Sequence, residues 1–381
     1  MQKNFYGPDF RLGIVGGGQL GRMFIQEAVN LNVSVEILDP DPNAPCRHIA
    51  HRFTNGSLTD FDTVYQFGKG LDVVTIEIEN VNTEALERLA AEGVRVYPQP
   101  ELIRMVQDKG VQKQFYRDHG IPTADFVLVD GKADLPAHRD RFPIMQKLRT
   151  GGYDGRGVTP LKDPDNLDTA FDAPSVLEDL VDLEKEVSVI VARSPSGEVQ
   201  HFPLVELEYN PEANLVEFLF SPANVPAALE QEAYRIATSV IEAMGMVGLL
   251  AVELFINKAG EVLVNEIAPR PHNSGHHSIE ANLTSQYAQH LRSILDPPLG
   301  ATDIIQPAVM LNVLGAKGHQ GDAIYEGLDD ILGMPGVNVH LYGKKQTKPF
   351  RKMGHITVMD PDLEAAKQKA REVQQRLQVI A

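Results

Sequence analysis

The chain has 381 residues, 43% of them hydrophobic and 23% charged, which is the composition of a folded globular protein. Its 35 Lys and Arg residues stand against 52 Asp and Glu residues, so the formal charge at pH 7 is −17. This charge would repel nucleic-acid phosphates and anionic membrane surfaces, and we therefore expect no nucleic-acid partner and no membrane partner.

The single cysteine and the first residues bear on where the protein works. Cys46 has no second cysteine to pair with, which predicts a reducing, cytoplasmic setting. No stretch reaches the roughly 18 uninterrupted apolar residues that a membrane helix needs. The opening MQKNFYGPDF has no apolar core and predicts no signal peptide.

Strand-like and helix-like segments alternate near the start of the chain. The strand-like runs are LGIVG, VSVEILD, VVTIEIEN and VRVYP, and the helix-like runs are LGRMFIQEAVNL, TDFDTVYQFGKG and NTEALERLAAEG. This alternation predicts a parallel sheet with crossover helices, which is an open α/β domain. Ligands usually bind at the carboxyl ends of such strands.

A glycine-rich loop, GGGQLG at residues 16–21, joins the first predicted strand to the first predicted helix. Its glycines allow a tight turn and the close approach of an anion to the helix N-terminus. The ligand would be a dinucleotide, with Asp39 on its ribose, or another phosphate-bearing molecule. The alternatives are a tight packing turn, and an Asp39 that only caps the turn formed by PDPNAP.

The middle of the chain begins with a predicted helix, ELIRMVQDKGVQKQFYRDHG, followed by the short strands FVLV and FPIMQKL. A second glycine-rich loop, RTGGYDGRGV at residues 149–158, comes next. Its backbone N–H groups can surround phosphate oxygens, and Arg149 and Arg156 add positive charge. Lys147 would point its ammonium group at the same phosphates. The alternative is a flexible surface hairpin.

Two further strands, EVSVIVARS and HFPLVELEY, and a helix, ALEQEAYRIATSVIEAMG, precede a predicted hairpin of LLAVELFI and EVLVNEIA. We expect its turn to be symmetric about Lys258 and Ala259. Glu253 would then lie opposite Val264 and diagonal to Glu266, so both carboxylates would share a face. The rest of that face would be Leu249, Ala251, Phe255, Val262 and Val264.

Two acids on an apolar face need a compensating cation, and Mg²⁺ is usually held by one or two carboxylates plus phosphates. The hairpin therefore predicts a magnesium site. One alternative is that this end of the face is exposed to solvent. The other is that a three-residue or five-residue turn breaks the register.

The C-terminal region, from about residue 301, contains PAVMLNVLG, VNVHLYG and HITVMD before a helix, and it predicts a small β-rich unit. Its stretch KKQTKPFRK, residues 344–352, carries five cations and no acid. In a chain of negative charge this stretch is either an anion-binding site or a solvated basic hairpin.

Two histidines and two lysines are expected to have no part in a site. His276 and His277 are neighbours, and neighbouring side chains in an extended segment point apart, so they predict no zinc site. Lys69 and Lys113 are expected to be surface charges.

Several motifs together resemble the ATP-grasp superfamily. They are GGYDGRG at residues 151–157, NEIAPRPHNSGHH at residues 265–277, the opening GGGQLGRM, Lys109, Lys147, and the acids Glu178, Glu186 and Glu253. Within that superfamily the chain is similar, over nearly its whole length, to the N5-carboxyaminoimidazole ribonucleotide synthetases.

The resemblance implies an ATP-grasp fold of the α/β and α+β class. A Rossmann-like pre-ATP-grasp domain would span residues 1–105, and an ATP-grasp domain of two lobes would span residues 106–300, with its lid at about 110–180. A small β-rich C-terminal domain would span residues 301–381.

The same resemblance implies a ligase that uses ATP, Mg²⁺ and bicarbonate to carboxylate 5-aminoimidazole ribonucleotide (AIR). The product would be N5-carboxyaminoimidazole ribonucleotide, formed through carboxyphosphate with release of ADP and phosphate, in de novo purine (IMP) synthesis. A homodimer and a hand-off of the product to a mutase are also implied. The alternatives are a formate-dependent glycinamide ribonucleotide formyltransferase of the same superfamily and, from another class, a nicotinamide-dependent oxidoreductase.

Roles for individual residues follow from the resemblance. The ATP site would comprise two lysines, the second glycine-rich loop, the connection between the lobes and the hairpin: Lys109, Lys147, Gly151, Gly152, Tyr153, Asp154, Gly155, Arg156, Gly157, Glu178, Asp179, Leu180, Val181, Glu186, Asn265 and Glu266. The ribonucleotide would be held by Gln19, Leu20, Glu77, Tyr153, Asp154, Arg270, Asn273, Lys345, Arg351 and Lys352. The metal ligands would be Glu253 and Glu266, and the catalytic residues Arg270, His272 and Arg156.

Asn265 stands between the metal ligand and the rest of the hairpin strand. An ideal strand would point its side chain to the opposite face from Glu266. Either the strand is bulged at Asn265, or Asn265 contacts ATP through its backbone.

Overall fold

The N-terminal part of the chain forms a five-stranded parallel sheet with the order β3-β2-β1-β4-β5, in a computed structural model that describes residues 4–152, 157–210, 212 and 215–381. The strands are β1 Leu12–Val15, β2 Val35–Asp39, β3 Arg52–Asn55, β4 Val73–Ile76 and β5 Arg95–Val96. The helices are α1 Gln19–Asn30, α2 Phe61–Gly68 and α3 Thr83–Ala91. The predicted open α/β architecture of this region is confirmed.

The predicted helix over residues 101–120 is wrong in one respect, because it is two helices. These are α4 Pro100–Val106 and α5 Lys109–Asp118. The Asp108 side chain caps the second helix by accepting hydrogen bonds from the backbone N–H groups of Gly110 and Val111. The break puts Lys109 in the first turn of α5, where its side chain is directed by a fixed helix start.

An antiparallel four-stranded sheet with the order β6-β9-β7-β8 follows. Its strands are β6 Phe126–Val129, β7 Ile144–Leu148, β8 Val158–Leu161 and β9 Ser175–Asp179, and a 3₁₀ segment spans Lys132–Arg141. Leu135, Ile144, Leu161 and Leu177 are buried in a small core under this sheet.

A nine-stranded sheet forms the centre of the molecule, with the order β15-β14-β10-β12-β13-β16-β21-β19 and β11 paired to β10. Its first strands, with one helix, are β10 Leu183–Arg193, β11 Val199–His201, β12 Val205–Asn210, β13 Leu215–Ser221, α6 Ala227–Met244, β14 Gly248–Asn257 and β15 Val262–Ala268. The predicted strand HFPLVELEY is two strands, because Pro203 lies between β11 and β12.

The C-terminal strands continue the same sheet, since β16 pairs with β13. The elements after β15 are a 3₁₀ turn Asn273–Gly275, α7 Ser278–Ala281, α8 Gln286–Leu295, β16 Ala308–Leu314, β17 Gly321–Asp322, β18 Ile324–Glu326, α9 Leu328–Leu332, β19 Val337–Leu341, β20 Gln346–Thr347, β21 Lys352–Met359, α10 Leu363–Arg376 and β22 Gln378–Ile380. The C-terminal region is β-rich as predicted.

The two faces of the central sheet differ in chemistry. On one face, residues such as Val187, Val189, Val252 and Leu254 are fully buried with the apolar side of α6 in the largest core of the protein. The other face carries Glu186 and Ser188 of β10 beside Glu253 of β14. Because side chains alternate along a strand, the buried valines hold this polar face toward the four-stranded sheet and its loops.

Among the helices of the described part of the chain, none combines the length and the apolar character that crossing a bilayer requires.

Candidate active site

Glu253 and Glu266 lie directly opposite each other on the hairpin of β14 and β15, so the shared face expected from the sequence is present. The register predicted from a turn centred on Lys258 and Ala259 is wrong. The turn between Asn257 and Glu261 has three residues, with Gly260 at φ 81°, and this moves the pairing by one residue.

A β-bulge moves the pairing by one residue more, because Leu254 pairs with Val264 whereas Glu253 pairs with Glu266. Asn265 is the extra residue, and its side chain is thereby released from strict alternation. Val262 and Val264, which were predicted to share the face of the acids, pack instead in the core beside α6. Of the two possibilities for Asn265, the structure has the bulge.

Two lysines from other elements, Lys109 of α5 and Lys147 of β7, reach the hairpin. The Lys109 ammonium pairs with the Glu266 carboxylate. Lys147 Nζ donates to Asn265 Oδ1 at 2.8 Å and pairs with Glu178 Oε2 at 2.9 Å. The backbone N–H of Lys109 donates to the Arg149 carbonyl at 2.8 Å, so the start of α5 is fixed to the end of β7. Predicted ATP-site residues from both lobes therefore meet at one place.

Lys113 is a third lysine of this group, and its prediction as a surface charge is wrong. It is 3% exposed, and its Nζ lies 3.1 Å from Glu178 Oε1. Burial opposes ionisation of Glu178, yet Lys147 and Lys113 together lower the pKa of its carboxyl. Lys69, in contrast, is exposed as expected. Glu178 thus orders two lysines through its side chain.

We expect Lys113→Met to lower the free energy of unfolding by about 3 kcal/mol, because it leaves a buried carboxylate with one cation instead of two. Urea denaturation followed by circular dichroism measures the change. Lys69→Met removes an exposed lysine and serves as the control, for which we expect a loss of less than about 0.5 kcal/mol. Equal losses in the two variants would contradict the role of Lys113.

The carboxyls of Glu253 and Glu266 respond differently to their surroundings. The charge of Lys109 lowers the pKa of Glu266 despite burial. Burial raises the pKa of Glu253, and the neighbouring carboxylates of Glu266 and Glu186 raise it further. One of two facing acids therefore holds a proton near neutral pH when no added cation compensates the pair.

The raised pKa of Glu253 predicts how stability depends on pH in EDTA. A carboxyl whose pKa is higher in the folded protein than its usual 4.5 gives its full stabilisation below pH 4.5. That stabilisation is lost as the pH rises toward about 8. We expect the melting temperature of the wild type to fall more steeply across this range than that of Glu253→Gln, which cannot ionise. Parallel curves from differential scanning fluorimetry would contradict the assignment.

The connection between the two sheets contains the other predicted ATP residues. Asp179 ends β9 and pairs with Arg141 at 2.7 Å, while Leu180 and Val181 lie between β9 and β10. Leu180 is 42% exposed. Glu186 follows on β10, where burial raises the pKa of its carboxyl and a hydrogen bond from Tyr209 opposes that rise. The connection therefore leads from the exposed Leu180 to the half-buried Glu186 carboxylate.

The second glycine-rich loop is described only in part. Gly151 and Gly157 both have φ 76°, a conformation that favours glycine. The predicted residues Tyr153, Asp154, Gly155 and Arg156 lie outside the described residues.

The segment after β15 brings His272 to the carboxylates. His272 Nε2 lies 3.6 Å from Glu253 Oε1, and its Nδ1 lies 2.9 Å from Ser274 Oγ. Ser274 Oγ is in turn 2.9 Å from the buried Ser188 Oγ on β10. The two serines hold the ring in place, and its other nitrogen faces the Glu253 carboxylate.

Arg270 and Asn273 flank His272 and connect to other parts of the fold. Arg270 Nε lies 2.8 Å from Glu79 Oε1, in the segment that follows β4. Asn273 and Asn312 exchange hydrogen bonds of 2.9 Å in both directions. These contacts join the ATP-grasp part of the chain to the N-terminal and C-terminal parts around one centre.

In the first glycine-rich loop, acidic side chains contact the backbone. Asp39 accepts hydrogen bonds from the N–H groups of Gly17 at 2.7 Å and Asp41 at 2.8 Å, so it caps the turn. Glu77 accepts from the N–H of Leu20 at 3.1 Å, at the start of α1. A carboxylate at this helix terminus competes with a dinucleotide phosphate for the same donors.

Glu77 is also linked to the rest of the site through charge. Burial raises the pKa of its carboxyl to about 7, and the charges of Arg270 and Lys344 oppose the rise. Lys344 belongs to the basic stretch but was not among its predicted contacts. The predicted substrate residues Gln19, Leu20, Glu77 and Arg270 are thus grouped at the carboxyl end of the parallel sheet.

The three predicted contacts of the basic stretch have different surroundings. Lys345 Nζ donates to Asn43 Oδ1 at 3.0 Å, and Arg351 donates to the Gln346 carbonyl at 2.6 Å. Lys352 is at the start of β21, and its charge lowers the pKa of Glu253. Of the three residues, Lys352 is therefore the one whose charge acts on the Glu253 carboxylate.

The facing carboxylates of Glu253 and Glu266 are the candidate metal ligands. The described residues contain no group of three or more His, Cys, Asp or Glu side chains arranged around a common metal position. Mg²⁺ commonly takes one or two carboxylates and completes its shell with water and phosphate oxygens. The facing pair of Glu253 and Glu266 fits that requirement when a polyphosphate is bound.

Family models cover three regions of the chain. A model of the ribonucleotide synthetase preATP-grasp domain matches residues 10–107, and one of the ATP-grasp domain matches residues 114–287. A model of the phosphoribosylaminoimidazole carboxylase C-terminal domain matches residues 308–369.

Named relatives match nearly the whole chain. Phosphoribosylaminoimidazole carboxylase of Saccharomyces cerevisiae is 38% identical over 375 residues, 94% of this chain and 65% of that protein. The chain thus spans somewhat less than two thirds of the length of this relative. The crystal structure of N5-carboxyaminoimidazole ribonucleotide synthetase from Thermotoga maritima is 40% identical with a TM-score of 0.90, covering 98% of this chain and 99% of that one.

A third match is the Aspergillus clavatus N5-carboxyaminoimidazole synthase in complex with ADP and 5-aminoimidazole ribonucleotide. It is 34% identical with a TM-score of 0.86, over 96% of this chain and 98% of that one. With this agreement in sequence and fold, the chain belongs to the N5-carboxyaminoimidazole ribonucleotide synthetase family of the ATP-grasp superfamily.

Proposed function

We propose that the protein carboxylates the exocyclic amine of AIR with bicarbonate and ATP, releasing ADP and phosphate, in de novo purine synthesis. The observation that carries the proposal is the facing pair of Glu253 and Glu266 with Lys109 and Lys147 against it. Family membership supports the choice of AIR and bicarbonate over glycinamide ribonucleotide and formate. Asp39 is engaged in its own turn, which argues against a nicotinamide enzyme.

Glu253 and Glu266 would hold Mg²⁺. When bound, the ion would neutralise charge on the transferring phosphoryl group. Lys109 and Lys147 would bind the phosphates of ATP, since both ammonium groups lie at this centre with carboxylate or amide partners that phosphate oxygens can replace. Glu186 would accept the ribose hydroxyls, and backbone groups of Glu178, Asp179, Leu180 and Val181 would read the adenine edge.

Bicarbonate is a weak electrophile, so phosphoryl transfer to give carboxyphosphate is the step that activates it. Carboxyphosphate is short-lived in water, and a closing glycine-rich loop over residues 151–157 would exclude solvent during amine attack. Arg270 would stabilise the anion. His272, held by Ser274, would accept the proton of the amine.

On the substrate side, we propose that Gln19, Leu20 and Glu77 hold the ribonucleotide, with Asn273 and the basic stretch. Lys345, Arg351 and Lys352 would clamp its phosphate. The undescribed Tyr153, Asp154 and Arg156 would lie between the two substrates. Four further points remain predictions. They are a homodimer, a cytoplasmic setting, hand-off of the product to a mutase, and domain boundaries near residues 105 and 300.

A coupled assay of ADP release tests the proposed reaction. The purified protein is given ATP and Mg²⁺ with AIR and bicarbonate, or with glycinamide ribonucleotide and formate. We expect turnover only with the first pair, and dependence on both of its members. Turnover only with the second pair would replace carboxylation by formyl transfer. Saturable NAD binding without ATP binding would instead support an oxidoreductase.

A further inference from the structure

Tyr209 is a residue of the site face that no motif indicates. It lies near the end of β12, two residues after Leu207, whose Cα partner is Glu186 on β10. Because alternate residues of a strand share a face, Tyr209 points to the same side as Glu186 and Glu253. The phenol therefore stands beside the carboxylates proposed for ribose and metal.

The Tyr209 hydroxyl contacts two acids. It donates a hydrogen bond to Glu253 Oε2 at 3.5 Å, and it opposes the rise that burial causes in the pKa of the neighbouring Glu186 carboxyl. Burial and the surrounding carboxylates of Glu253, Glu186 and Glu266 raise the pKa of the phenol, so it keeps its proton. A phenol offers one donor and carries no charge, so beside two like charges that otherwise repel, it can donate to either carboxylate.

We propose that Tyr209 is a positioning residue whose hydroxyl fixes Glu186 and Glu253 relative to each other and thereby couples ATP binding to metal binding. The inference rests on the proposed function for the roles of those two acids. Other charges at this face are the cations Lys109, Lys147 and Lys352 and the acid Glu266, and they contact or act on different atoms. Tyr209 is thus the neutral donor between the ribose acceptor and the metal ligand.

Tyr209→Phe removes the hydroxyl and keeps the ring. We expect two quantities to rise about tenfold. One is the dissociation constant for ATP at saturating Mg²⁺, and the other is the Mg²⁺ concentration that gives half-maximal ATP binding. The KM for AIR and the melting temperature should stay at wild-type values. Isothermal titration with ATP and Mg²⁺ needs no AIR, so the titrations test Tyr209 even if the wild type fails to carboxylate AIR.

Tyr65→Phe is the matched control. The Tyr65 hydroxyl also donates to a carboxylate, Glu92 at 2.9 Å, but on the protein surface. We expect no change in either binding constant for this variant. A similar change in both variants would overturn the proposal.

A double-mutant cycle with Glu186→Gln separates positioning from general damage to the fold. If Tyr209 acts through Glu186, the ATP affinity lost in Tyr209→Phe should be much smaller when Glu186 is already Gln. Additive losses would overturn the proposal, as would unchanged ATP and Mg²⁺ affinities in Tyr209→Phe. If the affinities for ATP and AIR fell equally and the melting temperature also fell, Tyr209 would have a merely structural role. That result would also overturn the proposal.

Discussion

Glu266→Gln is expected to lower kcat for ATP-dependent turnover by about 100- to 1,000-fold while the protein stays folded. Glu266 faces Glu253 across the hairpin and pairs with Lys109. Replacing its carboxylate by the amide of glutamine removes a negative charge that would bind both the proposed metal and the lysine. ADP release at saturating Mg²⁺, with circular dichroism as a check on folding, measures the effect.

Glu261→Gln is the control for this prediction. Glu261 lies in the turn of the same hairpin, is exposed, and hydrogen-bonds Asn257 Nδ2 at 2.7 Å, a contact that glutamine can also make. We expect its kcat to equal that of the wild type. A Glu266→Gln enzyme as fast as Glu261→Gln at saturating Mg²⁺ would refute the ligand role.

Lys352→Ala is expected to raise the KM for AIR by about 10- to 100-fold, the loss typical of a hydrogen bond to a charged group. The KM for ATP should change far less, because the proposed ATP lysines are Lys109 and Lys147. Lys352 begins β21 at the end of the basic stretch and acts on the carboxylate centre, which makes it the most informative member of that stretch.

Lys348→Ala removes an exposed lysine from the same basic stretch and leaves Lys352 in place. We expect its two KM values to match the wild type. Initial rates with one substrate varied at a time give both constants. If Lys352→Ala weakened ATP and AIR equally, the phosphate clamp would be wrong.

The sequence predicted the shared face of Glu253 and Glu266 but not their register. Alternation along two strands is enough to group the acids, because a shift by two residues preserves the face. The exact pairing depended on a three-residue turn and on the bulge at Asn265, and each shifts the register by one residue. Turn length and bulges are set by local backbone conformation, which a pattern of apolar and polar residues does not encode.

Two contacts of the site had no signal in the sequence. Lys113 resembles any lysine on a polar helix, and it is buried because β9 brings Glu178 against α5. Tyr209 lies near the end of an alternating strand, and its proximity to Glu253 depends on the order β14-β10-β12. Both follow from tertiary pairings between distant segments, which local propensity does not determine.

One sequence signal marks the break between α4 and α5. Asp108 followed by Lys109 and Gly110 is a typical helix start, since aspartate is a favoured N-cap. It would have divided the predicted helix over residues 101–120 and placed Lys109 in a first turn. The apolar periodicity on both sides of Asp108 concealed the break.

We expect Glu253 and Glu266 together to bind one divalent ion that also contacts ATP. A crystal structure with ADP and Mn²⁺ in place of Mg²⁺, phased with the anomalous signal of manganese, tests it most directly. We expect an anomalous peak about 2 Å from a carboxylate oxygen of each glutamate and from a phosphate oxygen. A peak bound elsewhere, with ADP distant from both carboxylates, would contradict it.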